Sequence, residues 1–188
     1  MTSRQDKLVS DISPDGRTVA YIQTSDSGAD DIWTMRIDDP RSAMPFLASP
    51  SDERGAQFSP DGHWIVYQSD ESGRPEIYVR RFPPQAGSGR QLVSTAGGIW
   101  PRWSRDGREL YYVDPGGAMM AAGVTFTAQA IRVGAPAMLF QGAFRTQDAR
   151  IHPQYDVDRN GRFLIVAGAS ATRVSPITII LNWTPSSR

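Results

Sequence analysis

The chain has 188 residues, twenty basic and twenty acidic side chains and no cysteine. That length suits one domain or one repeat array. A formal charge of zero argues against a nucleic-acid binder held by phosphate neutralisation, and the missing thiol excludes disulfides, a thiolate nucleophile and a Cys-ligated zinc site.

No apolar run approaches the ~20 residues of a spanning helix, so no membrane insertion by this segment is expected. Residues 1–7 lack the apolar stretch of a secretory leader. The cellular side stays open: extracytoplasmic if the segment belongs to a longer membrane-anchored chain, cytoplasmic if it is complete. Charge is distributed unevenly. Up to Glu76 there are fourteen acids and seven bases, and beyond it six acids and thirteen bases. Either a dipolar surface with an Arg-rich face or a mere scatter of loop charges fits that count.

The elements follow a repeat. Ser13-Pro14-Asp15-Gly16 returns as Ser59-Pro60-Asp61-Gly62, as Ser104-Arg105-Asp106-Gly107 and, more weakly, as Asp158-Arg159-Asn160-Gly161. The first two intervals are about 45 residues, the size of a four-stranded propeller blade. Pro presets the second position of a tight turn, Asp suits the third, and Gly takes the left-handed conformation that closes a hairpin. Short first strands end at Ile12, Phe58, Trp103 and Val157. After each turn come 18–22, 64–67, 110–113 and 163–166, nearly continuous in apolar, β-branched and aromatic residues. Such strands need cover on both faces, as when one blade lies between two others.

Second turns at 25–28, 69–73 and 114–117 lead into third strands at 31–36, 76–80 and 119–126, with a last one at 177–183. Fourth strands are expected at 44–48, 91–95 and 137–140, and none after Trp183. No segment keeps a capped helical stripe. The reading is therefore an all-β propeller or partial propeller of about four antiparallel four-stranded blades, the last incomplete. Its boundaries are 7–49, 55–95, 99–143 and 155–183, within a single domain over 1–188.

The Ser-Pro-Asp-Gly turns, the Ser-Asp turns closed by Gly28 and Gly73, and the Asp31-Ile32-Trp33 and Glu76-Ile77-Tyr78 strands resemble the TolB-type, WD-repeat-like β-propeller repeat of bacteria. More narrowly, Gly97-Gly98, Pro101-Arg102-Trp103, 106–112, 136–140 and 177–183 look like the C-terminal part of propellers fused to bacterial serine/threonine kinases. This resemblance implies six or more blades in a closed ring. The expectation is thus a C-terminal portion of a larger propeller, with self-association through open blade edges as its liability.

Catalytic patterns are thin. Ala167-Gly168-Ala169-Ser170 lacks the second Gly of a nucleophile elbow, and only His63 and His152 offer bases. His63 follows a turn Gly and reads as an exposed polar residue; His152 reads as a loop residue near a blade junction, with partner contact as its functional alternative. Gly87-Ser88-Gly89 and Gly97-Gly98 lack the sequel of a phosphate loop. Asp26, Asp30 and Asp31, or Asp70, Glu71 and Glu76, suit hairpin hydrogen bonding better than calcium. No cofactor and no metal are expected.

Trp33, Trp64, Trp103, Tyr78, Tyr111 and Tyr112 read as inter-blade core. Trp100, before Pro101 where a loop opens, reads as a candidate partner anchor. Aligning the turns makes Asp11, Gln57, Arg102 and Asp156 equivalent, one residue before the apolar end of the innermost strand. They would line a central channel, with Arg102 in a polar network or holding a small anion, or simply pair around a water-filled bore. The expected function is a non-catalytic scaffold for a protein or peptide partner, possessing through the resemblance a sensor role beside a kinase. The alternative is the gating part of a prolyl-oligopeptidase-like peptidase whose catalytic domain lies elsewhere.

Overall fold

A computed structural model describes residues 7–85, 87–127, 130–146, 153–158 and 160–166, together with the backbone of 178–180. It holds four separate antiparallel sheets and, among the described residues, no α-helix. Sheet one runs β1 (Lys7–Ile12), β2 (Thr18–Thr24), β3 (Asp30–Arg36) and β4 (Asp39–Leu47) in chain order. Sheet two repeats this with β5 (Glu53–Phe58), β6 (Trp64–Ser69), β7 (Glu76–Arg81) and β8 (Arg90–Leu92).

In sheet three, β9 (Ile99–Trp103) and β10 (Glu109–Val113) lead to a nine-residue β11 (Ala118–Phe126), which carries two outer strands. These are β12 (Ile131–Val133), which the sequence pattern does not announce, and β13 (Ala137–Gln141). β11 exceeds its counterparts in reach, so its far half pairs β12 and its near half β13. Sheet four comprises β14 (Tyr155–Val157), β15 (Phe163–Ile165) and β16 (Thr178–Ile180). The expected third strand over 177–183 is described only at 178–180; residues 184–188 and His152 lie outside the described residues.

The apolar second strands are explained by two-sided burial. All six residues of β6 are buried. Ile65 and Tyr67 join Ala20, Ile32 and Phe58 in a core between sheets one and two, whereas Trp64 and Val66 join Trp103, Leu110 and Tyr112 between sheets two and three. β10 divides the same way, with Tyr111 and Val113 facing Tyr155 and Phe163 of sheet four. Successive side chains point to opposite faces, so a strand between two blades must be apolar throughout. Each fully buried Val, Leu, Ile or Phe contributes roughly 1.5–3 kcal/mol, which places most of the fold's stabilisation at the blade junctions.

Candidate functional site

The first turns are self-contained. Ser13 Oγ donates to Asp15 Oδ1 at 2.6 Å and accepts from Thr18 N, while Asp15 Oδ1 also accepts from Arg17 N. Ser59 and Asp61 bond His63 and Trp64 in the same way, and Ser104 and Asp106 bond Arg108 and Glu109. In the fourth turn Asp158 alone takes both parts, accepting from Asn160 N and Arg162 N. The Ser13 hydroxyl, then the Arg17 amide, hold the Asp15 carboxyl below the usual carboxylate range; for Asp106 and Asp158 the backbone donors lead, joined by the Ser104 hydroxyl and the Arg162 guanidinium respectively. His63 lies exposed beside its turn, as expected.

Asp11 and Gln57 have a defined task. Asp11 Oδ2 accepts from Phe58 N at 2.8 Å, and Gln57 Oε1 accepts from Trp103 N at 2.7 Å. Each side chain ties one innermost strand to the next blade's, satisfying an amide that faces away from its own sheet. Burial pushes the Asp11 carboxyl up against the lowering effect of that bond, and the Arg102 charge pulls it down further. Arg102 has no acceptor to offer at this register. Its Nη1 donates to Pro101 O, its Nε stands 3.9 Å from Asp156 Oδ1, and Val157 N bonds the side chain of its own neighbour Asp156. Asp156 is 77% exposed in its side chain. The four aligned residues are therefore two inter-blade struts followed by a loose ion pair.

Trp100 departs from the surface anchor that its sequence context suggested. It is 2% exposed, packed with Phe144 and Tyr155, and its backbone is pinned by Gln68 Oε1 on its N–H and by the Tyr155 hydroxyl on its carbonyl. Its φ of 56° is the only positive value outside glycine among the described residues. The cause is a bulge: β9 fits two residues, Trp100 and Pro101, opposite the single Tyr112. In sheet two Gly55, with φ 63°, occupies the same place in β5.

The other aromatic assignments fall in the inter-blade cores, except that Trp33 is only half-buried, with a buried Nε1 that has no hydrogen-bond partner among the described residues. The carboxylates beside the second turns do more than close hairpins. Asp31 Oδ1 accepts from Ser49 N, Asp52 Oδ1 from Asp30 N, and Asp70 Oδ1 from Asp52 N, so they fasten the connection between sheets one and two. Arg54 pairs with Asp30 and Asp52 there. Glu76 accepts from the Ser94 hydroxyl and from Gly97 N, fastening the next connection. Glu53, 2% exposed, accepts from Ser49 Oγ through Oε1, while Oε2 has no hydrogen-bond partner among the described residues. Burial, then the charges of Asp31, Glu71 and Asp70, push its pKa up to about 7 against the Ser49 bond. Among the described residues no three His, Asp or Glu side chains are arranged to hold a metal ion.

A cleft of about 560 Å³ is lined by Arg105 and Asp106 of the third turn, Asp158 and Asn160 of the fourth, and Glu109 and Tyr111 of β10. The Tyr111 hydroxyl donates to Glu109 Oε2 at 2.6 Å; burial and that carboxylate raise its pKa. Sequence reasoning missed this site, although the one visible signal was the Arg at a position where the first two turns have Pro.

Blade-like sheets joined at their inner strands define a β-propeller fold of the TolB type. The chain is similar to a TolB structure from Acinetobacter baumannii, with TM-score 0.63 and 17% identity over 89% of this chain and 39% of that one. A TolB-designated protein of Agrobacterium tumefaciens gives TM-score 0.56 and 22% identity over 76% and 53%. A prolyl endopeptidase gives 0.52 and 14% over 87% and 26%. In sequence it is similar to an uncharacterized protein of Agrobacterium fabrum, 31% identical over 104 residues, which are 54% of this chain and 33% of that protein. The chain thus spans about a third of that Agrobacterium fabrum protein and about half or less of these structures. No known family profile matches it.

Proposed function

We propose that this chain is a non-catalytic β-propeller platform that holds a protein or peptide partner on the face bearing its first turns. The observation that carries this reading is the division of labour in those turns. Ser and Asp are consumed by local hydrogen bonds and the first two blade junctions are strutted at their inner strands, so the turns stand on a rigid frame, the usual arrangement of a recognition loop. The finer reading is the sensor portion of a bacterial serine/threonine kinase, a role supported by motif resemblance alone.

Likeness to a prolyl endopeptidase favours a second reading, the gating part of a peptidase. Selection of displayed random peptides on the immobilised chain separates the two. The platform reading expects enriched peptides that bind saturably, lose affinity when Arg105 and Asn160 are changed, and are never cleaved. Enriched sequences insensitive to those changes, or no saturable binder at all, would overturn it. A proline-containing peptide that binds inside the propeller and is cut only when a hydrolase domain is present on the full chain would support the peptidase.

A further inference from the structure

Two arginines occupy one position of the repeat and differ in their partner. Arg36 ends β3 opposite Thr18 and Arg81 ends β7 opposite Trp64, and both Thr18 and Trp64 stand just past the glycine of a first turn. The next amide closes the same bond in each sheet, Ile37 N to Arg17 O and Phe82 N to His63 O, so Asp38 and Pro83 correspond. Asp38 grips Arg36 in a fork: its Oδ1 accepts from Nε at 2.9 Å and its Oδ2 from Nη2 at 2.6 Å. Proline has no carboxylate to offer. Arg81 accordingly makes no ion pair among the described residues, and its buried Nε has no hydrogen-bond partner there. Its guanidinium rests instead on the Trp64 ring, with Cζ 5.6 Å from the centroid.

Arg81 lines a pocket of about 260 Å³ together with Trp64, Ile131, the loop 87–89 and Arg90 of β8. No acidic residue lines this pocket, and Arg90 is already paired with Glu71 at 2.5 Å, so Arg81 is the cation there that lacks a carboxylate. Gly87 and Gly89 have nothing within 4 Å of the place a Cβ would take, which leaves room for a ligand's backbone. A buried donor without a partner on a cation calls for an anionic acceptor. The repeat itself supplies the type, since the same arginine one blade earlier holds a carboxylate. We infer that this pocket receives a carboxylate from a peptide partner, seated on Arg81 as Asp38 is seated on Arg36. The inference rests on the platform reading and gives that platform a contact beside the second of its first turns, apart from Arg105 and Asn160.

The experiment follows the Arg81 Nε–H and Gly89 amide signals in NMR as four probes are added. N-acetyl-aspartate N-methylamide offers a side-chain carboxylate, N-acetyl-glycine a chain end, N-acetyl-glycine N-methylamide no charge, and inorganic phosphate a different anion. Saturable shifts with a carboxylate probe and none with the neutral one are expected, and the tighter of the two carboxylates identifies the source. Arg81→Lys is decisive because it keeps the charge and loses the fork. Binding read at Gly89 should then fall about fivefold or more, whereas Arg132→Gln, which removes an exposed charge from β12, should change it by less than about twofold. If the probes merely collect at a basic surface, the lysine variant binds like the parent and the inference falls. Equal shifts with the neutral probe, no shift with either carboxylate, or tighter binding of phosphate than of both would also overturn it. In those cases selected peptides that still depend on Arg105 and Asn160 would leave the platform reading standing.

Discussion

Phe58 gives its amide hydrogen to the carboxylate of Asp11, 47 positions earlier in the chain and one blade away, at 2.8 Å. Trp103 and Gln57 repeat the relationship at 2.7 Å across the next junction. A polar residue one step before the apolar end of an inner strand is thus a strut between blades. Where Arg102 takes that place, the strut is absent and Val157 N falls back on Asp156.

Removing a strut should cost stability without touching the cores. Asp11→Ala and Gln57→Leu each leave a buried amide without its acceptor, at about 1–3 kcal/mol, whereas Asp11→Asn keeps an acceptor oxygen and should cost under about 0.5 kcal/mol. Conversely Arg102→Gln supplies a cross-blade acceptor for Val157 and should gain about 0.5–1 kcal/mol. Urea unfolding of the four variants is the measurement; equal midpoints for Asp11→Ala and the parent would show that the bond is dispensable.

Glu53 makes stability depend on pH. Its folded pKa of about 7 lies above the ordinary 4.5, so between these values the unfolded chain has released a proton that the folded chain still holds. By linkage the contribution is fully present below about 4.5, declines as pH rises through about 7 and is flat above. Glu53→Gln keeps the neutral shape and the Ser49 contact, so it should gain on the order of 2 kcal/mol over the parent near pH 8 and little near pH 4.5. Asp11, also raised by burial, tilts both proteins alike and cancels in the comparison. A mutant-minus-parent difference that does not change with pH would mean that Glu53 ionises freely.

Much of this architecture was legible because the turn string encodes its own hydrogen bonds: Ser, Asp and Gly at fixed spacing can satisfy one another before any tertiary contact forms. The sandwiched strands were legible too, since only double burial demands the unbroken run 64–67. By contrast, β12 escaped because Ile131-Arg132-Val133 is a three-residue strand that pairs only because β11 extends past its usual partner. Trp100 reads as exposed beside Gly97 and Pro101; its burial depends on a bulge whose register exists only once β9 is paired. The cleft was half-written in Arg105, but that Pro14 lies against Gly62 and Pro60 against Gly107 is a relation between blades, which spacing along the chain does not carry.

Phe58 tests the double-burial argument directly. It is buried between sheets one and two, with its ring edge-on to Phe82 at 5.1 Å. Phe58→Ala should cost about 3–5 kcal/mol, and Phe58→Leu about 1–2 kcal/mol by retaining most of the volume. Calorimetry that finds less than about half a kcal/mol for the alanine variant would put this side chain at the surface.

Trp100 offers an inversion of the usual order of substitutions. Ordinarily glycine is worse than alanine, because it loses more backbone freedom on folding. At φ 56° a side chain of any kind carries the left-handed penalty of about 1–2 kcal/mol, which Gly55 avoids at the corresponding place in sheet two. Trp100→Ala forfeits the ring's packing against Phe144 and keeps the strain, at about 3–5 kcal/mol. Trp100→Gly forfeits the same packing and releases the strain, so it should be about 1 kcal/mol more stable than the alanine variant. Denaturation of both settles the bulge assignment: an alanine variant more stable than the glycine one would mean that residue 100 relaxes to an extended backbone, and with it the register of β9 against β10 would have to change.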